Sequence, residues 1–222
     1  VGTEGNDTIR PGGGNDLAAG LRHGAEDIVA IEIDPAIIDI GRCFHPERPY
    51  ASPRVRVVND DARAFFAKTD EKFDLVIFGL LDSHTTTSMT NSRLDHYVYT
   101  RESFELAKRL LAPGGIATHW LPANQLPAGG ARAIVRAFCA VFEDCSLWSG
   151  AGLDWMLAGS NGASAPAEAE LARLWTSPGS GADLRQLGIE RPEQLGALFV
   201  ADAAELAAWT AGEAPLVDDR PG

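Results

Sequence analysis

The chain has 222 residues, 45% of them hydrophobic, which suits one α/β domain of ordinary size with a sizeable core. Its 31 acidic and 19 basic residues leave a net charge of −12 with no concentrated basic patch, which disfavours a nucleic-acid partner and favours small cationic ones. Three cysteines without a CxxC pair argue against a disulfide framework or a zinc site and fit a reducing compartment. No apolar run approaches the roughly 20 residues that span a bilayer. The expectation is a cytoplasmic domain, at the inner face of a membrane if membrane segments precede Val1.

Residues 1–10 are expected to hold the first strand, although only Thr8 and Ile9 have strand character. GTEGNDTIR and PGGGNDLAA also resemble two calcium-binding turns, but such turns need roughly three stacked repeats to bury a core, and the second runs directly into a helical pattern. Leu17, Ala18 and Leu21 share one face of a helix ending near Gly24. Residues 28–33 form a nearly continuous apolar strand, the pattern of a parallel strand covered on both faces. Asp34 is a good helix N-cap and Pro35 a good first helical residue, and Ile37, Ile38 and Ile40 are expected to face the core. A proline-rich loop follows over 45–54.

Residues 55–58 predict a third strand, 62–67 a short helix and 73–78 a fourth, buried strand. From Gly79 a long polar loop runs to about Tyr99. Thr100 caps a helix that carries Glu102 in its first turn and Lys108-Arg109 in its last, as the helix dipole favours. Pro113-Gly114-Gly115 stops it before a fifth strand at 116–120 that ends near His119. A helix over 128–142 follows, and 146–148 with 155–158 predict a closing antiparallel pair in which Trp148 and Trp155 serve as core anchors. The alternation predicts a doubly wound, mostly parallel sheet over 1–160. Residues 161–222, with short helices at 167–175 and 201–209, read as a C-terminal helical extension packed on it, and Asp218-Asp219-Arg220 as a solvated tail or structural ion pair.

In such sheets ligands bind beyond the carboxyl ends of the strands. The residues expected there are Gly12, Gly13, Gly14, Asn15, Asp16, Glu32, Asp60, Asp61, Gly79, Asp82, His84 and His119. Glycines after a first strand admit close backbone approach, and the helix N-terminus behind them offers free N–H groups. An acid about 20 residues later can hydrogen-bond ribose hydroxyls. Leu17 stands where a dinucleotide fingerprint needs its third glycine, so a single nucleoside fits better than a dinucleotide.

PGGGND, IEIDP, RVVNDDARAF, FDLVIF and YTRESFELAKRLLAPGG, in that order, resemble the spermidine-synthase-like branch of the S-adenosylmethionine-dependent methyltransferase superfamily. DWMLAGS and the terminal DDRP resemble a subgroup often fused to membrane-spanning segments. The resemblance implies a Rossmann-like methyltransferase fold that binds S-adenosylmethionine or its decarboxylated form, with no metal. It places Gly12, Gly13 and Gly14 at the cofactor's amino-acid part, Asn15 and Asp16 at its amine end, Glu32 at the ribose, and Asp61 with Ala62 at the adenine. Gly79, at the end of the fourth strand, stands where the family's first acid acts as base on the attacking amine, which disfavours aminopropyl transfer to putrescine; only Asp82 keeps the family's second acid. Asp82 and His84 remain as candidates to orient and deprotonate a nucleophile, and Asp82, Asp95 and Tyr99 as substrate contacts. The implied activity is group transfer from a sulfonium to a small nucleophile such as an amine. A methyltransferase and a non-catalytic nucleoside-binding regulatory domain are the alternatives, and a homodimer is left open.

Overall fold

The computed structural model describes residues 14–79, 97–123, 126–150 and 154–220, together with the backbone of 6–10. Strands and helices alternate as β1 (Asn6–Arg10), α1 (Asn15–Arg22), β2 (Asp27–Ile31), α2 (Pro35–Phe44), β3 (Val55–Val58), α3 (Ala62–Lys68) and β4 (Phe73–Phe78). They continue as α4 (Arg101–Leu110), β5 (Leu111–Pro122), α5 (Ala128–Cys139), β6 (Ser146–Ser149) and β7 (Asp154–Ser160). The C-terminal part adds α6 (Glu168–Thr176), α7 (Ser180–Gln186), α8 (Pro192–Gly196), β8 (Phe199–Ala201) and α9 (Ala203–Trp209).

The described strands form one sheet of eight, in the order β3-β2-β1-β4-β5-β7-β6-β8. The first five are parallel, and β7, β6 and β8 close the sheet by antiparallel pairing. One row of register partners crosses the parallel part: Val57, Ala30, Ile9, Ile77 and Thr118. The polar segment Asn6–Arg10 therefore sits at the centre of the parallel strands, paired on both sides. Two neighbours satisfy its backbone, so it needs less side-chain propensity than a lone strand.

Alternation in β2 explains why the strand reads as continuously apolar. Ile28 and Ala30 pack with Leu17, Ile38 and Tyr50 on one side, while Val29 and Ile31 join Phe66, Phe78 and Phe104 on the other. The caps fall where side-chain oxygens allow. Asp34 accepts from the Ala36 amide at 2.8 Å, Asp61 from the Ala64 amide at 2.9 Å and Thr100 from the Ser103 amide at 3.4 Å.

Several features depart from the sequence reading. Ile38 is buried, but Ile40 is 56% exposed, because the inward stripe of α2 passes through Ile38 and Gly41. Cys139 and Cys145 form a disulfide, with Cα atoms 5.3 Å apart, where the turn after α5 folds back into β6; Cys43 is the exposed free thiol. A cysteine count cannot register that local reversal. β5 begins directly at the end of α4, and its pairing with β4 is irregular between Phe73 and Leu75, which absorbs the Pro113-Gly114-Gly115 segment within the strand. α7, α8 and the edge strand β8 carry no clear periodic signal. Among the described residues no helix is long and apolar enough to cross a membrane.

Gly159 in β7 lies against Phe142, which is fully buried; a Cβ there would come within 2.5 Å of the Phe142 Cβ and 2.6 Å of its Cγ. Gly159→Ala is therefore expected to destabilise the fold by about 1–3 kcal/mol through overpacking. The check is a urea midpoint shift at unchanged slope; an unshifted midpoint would contradict this packing.

Candidate active site

α1 starts with a backbone turn that only glycine tolerates. Gly14 has φ 105°, and a Cβ there would lie 2.9 Å from the Tyr50 ring, 3.2 Å from His45 and 3.2 Å from Pro49. The loop after α2 is thus pressed onto the glycine turn. Asn15 adds a side-chain contact to it, with Oδ1 3.1 Å from His45 Nε2. Asp16, in the first turn of α1, is partly buried, and loss of hydration raises its carboxyl pKa above 3.8. Tyr50 is 9% exposed; burial first, and the nearby Glu32 carboxylate second, push its phenol up. Its hydroxyl has no hydrogen-bond partner among the described residues.

Glu32 follows β2 directly, and its amide donates to the Val58 carbonyl at 3.1 Å, extending the parallel pairing with β3. Its Oε1 accepts from the Asp34 amide at 3.0 Å, which orients the carboxylate. Asn59 pins the same corner by donating to the Glu32 and Ile33 carbonyls at 2.8 and 3.0 Å. One strand over, Asp60 accepts from the Asp61 amide and meets Lys68 Nζ at 3.3 Å. Asp61 spends one oxygen on the α3 cap, and Ala62 behind it is buried. Gly79, also buried, follows the end of β4.

Gly14, Asn15, Asp16, Glu32, Asp61, Ala62 and Gly79 thus follow successive parallel strands at one edge of the sheet. Gly12, Gly13, Asp82, His84 and Asp95 lie outside the described residues. Tyr99, expected at the substrate, is 2% exposed, with its ring centroid 4.7 Å from that of His119. It packs in the core because the short helix Tyr97–Tyr99 turns it inward just before α4. His119 is fully buried, stacked on Phe78 at 4.9 Å and edge-on to Phe104 at 5.4 Å. Its Nδ1 lies 2.7 Å from the Trp120 carbonyl, which can only accept, so that nitrogen carries the hydrogen.

Two participants escaped the sequence reading. Tyr50 sits in a proline-rich stretch that reads as plain loop. Arg63, two residues past Asp61, holds the far C-terminal Asp218, and this raises the Arg63 pKa and lowers that of Asp218. The nearby DDRP sequence was the available signal for the second.

Chemically, the edge combines acceptor-only carboxylates with a glycine turn. Such a set suits hydroxyl and amine donors and a positive charge, the features of a sulfonium nucleoside. Among the described residues no group of three or more His, Cys, Asp or Glu could hold a metal ion. A cavity of about 580 Å³ lies away from this edge, at the other end of α1, lined by Arg22, His23, Leu171, Arg173 and Leu174 among others. It includes none of the residues expected to bind the nucleoside.

Comparison with known proteins places these observations in a family. The model of the spermine/spermidine synthase domain matches residues 9–121. A polyamine aminopropyltransferase from Mycobacterium tuberculosis is 41% identical over 114 residues, covering 47% of this chain and 20% of the relative. The chain spans only a fifth to a third of the length of the first curated relatives it matches. Among solved structures, spermidine synthase from Thermotoga maritima superposes with a TM-score of 0.67 at 16% identity, over 93% of this chain and 69% of that one. A spermidine synthase in complex with the transition-state analogue AdoDATO gives a TM-score of 0.58 at 18% identity, over 72% of this chain and 56% of that one. At these identities the structural matches speak for the fold, a Rossmann-like sheet, and the sequence match for descent: the chain belongs to the spermine/spermidine synthase family.

Proposed function

We propose that this chain binds decarboxylated S-adenosylmethionine, or S-adenosylmethionine itself, and transfers a group from the sulfonium to a small amine. The observation that carries the reading is the convergence of the Gly14 turn, the Glu32 carboxylate and the Asp61–Ala62 pair at one sheet edge, all within the stretch that matches the family. The relatives' name, polyamine aminopropyltransferase, and the neighbour solved with AdoDATO favour the decarboxylated form and an aminopropyl group.

In this reading Gly12, Gly13 and Gly14 pass the cofactor's tail, with Asn15 and Asp16 beside its charged end. Glu32 accepts from the ribose hydroxyls, and Asp61 accepts from the adenine amine while Ala62 leaves room for the ring. Gly79 closes the wall beneath. The cofactor supplies a carbon already activated by the sulfonium, which leaves as a neutral thioether. The chain's part is to hold the acceptor in line, exclude water and take the amine's proton. In the same reading Asp82 orients the amine, His84 takes the proton, and Asp95 is a further contact for the cationic acceptor. Gly79 in place of the family's base disfavours putrescine as the acceptor. On its family match, and no longer on the cysteine count, which the Cys139–Cys145 disulfide overturns, we place the chain in the cytoplasm, with residues 161–222 as an extension packed on the domain formed by 1–160.

Titration calorimetry with S-adenosylmethionine, its decarboxylated form and methylthioadenosine tests the cofactor. Methylthioadenosine is expected to bind, and Glu32→Ala to weaken it about tenfold or more, the loss of a hydrogen bond to a charged group. No binding of any of the three, or equal binding by the variant, would remove the reading. Turnover with polyamine acceptors is expected to fall about 10²-fold in Asp82→Asn, the cost of a misaligned acceptor. Unchanged turnover would remove that residue's role, and the form consumed, full or decarboxylated, decides between methyl and aminopropyl transfer.

Asp16 gives a pH test. Burial raises its folded pKa above 3.8, so folding disfavours the charged carboxylate relative to the unfolded chain. Its contribution to stability is fully present below 3.8 and lost as pH rises through the raised value. Asp16→Asn is therefore expected to melt higher than wild type at pH 7, with the gap closing on acidification. Affinity for the cationic cofactor, which needs the carboxylate charged, is expected to fall over the same range in wild type and not in the variant. A variant that melts lower at pH 7 would contradict the burial argument.

A further inference from the structure

The C-terminal segment is hydrogen-bonded to three helices, α3, α4 and α5. The Arg101 amide donates to the Leu216 carbonyl at 3.0 Å, and the Leu216 amide to the Ala133 carbonyl at 3.4 Å. The Asp218 amide donates to Glu102 Oε2 at 3.1 Å. The Asp218 carboxylate then receives both terminal nitrogens of Arg63, each at 2.7 Å, and the Thr100 hydroxyl at 2.7 Å. Thr100 is fully buried, and the Arg63 side chain is 21% exposed. Arg63 also donates to the Tyr97 carbonyl at 3.2 Å and sits 5.8 Å from the centre of the Tyr97 ring. A forked guanidinium–carboxylate pair fixes direction as well as distance, unlike an exposed point-charge pair.

The two residues joined through Asp218 stand at the start of two helices. Arg63 is the second residue of α3, directly after Asp61 and Ala62. Thr100 is the cap of α4, directly after the Tyr97–Tyr99 turn. Asp218 itself lies far beyond the stretch matched to the family, which ends at residue 121.

We propose that Asp218 is a positioning residue for the nucleoside site, setting through Arg63 and Thr100 the spacing between the Asp61–Ala62 edge and the Tyr97–Tyr99 turn. This rests on the reading that places the adenine at Asp61 and Ala62. The tail then acts as a latch that ties the start of α3 to the start of α4 beside the site, although it supplies no group to the ligand. Small misplacements at such a wall have large consequences, because a shift of about 1 Å can cost roughly a hundredfold in a reaction that depends on alignment.

The test compares the full chain as wild type, Asp218→Asn and Asp218→Glu. Three readouts are taken: methylthioadenosine affinity by calorimetry, amide hydrogen exchange over 61–65 and 97–101, and thermal melting. Asp218→Asn keeps the shape but weakens the fork. It is expected to lose about tenfold in affinity through partial misplacement of the wall, less than the roughly hundredfold of a 1 Å shift, and to exchange faster in both segments. Asp218→Glu is expected to recover most of the affinity even if its melting temperature stays below that of wild type, a split that general destabilisation would not produce. Affinity within about twofold of wild type in Asp218→Asn, or faster exchange confined to 216–220, would overturn the positioning role. Should Asp218→Asn fail to fold, the Glu variant decides: affinity that tracks its melting loss overturns the role, and affinity retained despite that loss supports it. Failure of wild type to bind methylthioadenosine is a different result, one that removes the nucleoside reading and the positioning role with it.

Discussion

The site depends first on the parallel register of β1. Because Ile9 is the partner of both Ala30 and Ile77, the strands leave the sheet at a common edge, and the residues that follow them come together. A slip in that pairing would separate Gly14, Glu32 and Gly79 and turn each strand's side chains to the wrong face. The burial of Val29 and Ile31 on one side and Ile28 and Ala30 on the other holds β2 in register, and β2 in turn lines up β3. The glycine turn adds a second constraint at the same edge, since Tyr50 occupies the space that any side chain at position 14 would need.

The parallel core was legible where the signal is local. The apolar run of β2, the alternation of strands and helices, and the caps at Asp34 and Thr100 need only neighbouring residues to be read. What could not be read depends on distant partners. Asn6–Arg10 looks too polar for a central strand until its two neighbours are in place. The burial of His119 and Tyr99 against each other joins residues from different elements, and the clasp of Asp218 on Arg63 spans 155 residues. The Cys139–Cys145 pair is local, but its geometry comes from a turn, not from a spacing rule.

The same distinction separates the two halves of the candidate site. Glu32 and Asp61 are placed by the sheet itself, with their carboxylates oriented by the backbone amides of Asp34 and Ala64. Such groups are preorganised, so a ligand need not order them. The wall beyond Ala62 is held differently, by side chains from α3 and α4 and the C-terminal tail meeting at Asp218. A family match over residues 9–121 takes in the whole first half and, of the second, Arg63, Thr100 and Glu102, but not Asp218, the residue they meet on.

A crystal structure of the chain with methylthioadenosine tests the central claim most directly. The expected result has the ribose hydroxyls on the Glu32 carboxylate and the adenine against Ala62, with Asp61 at its exocyclic amine. A nucleoside bound instead in the cavity between the end of α1 and the helices α6 and α7, with the Glu32 edge empty, would contradict it.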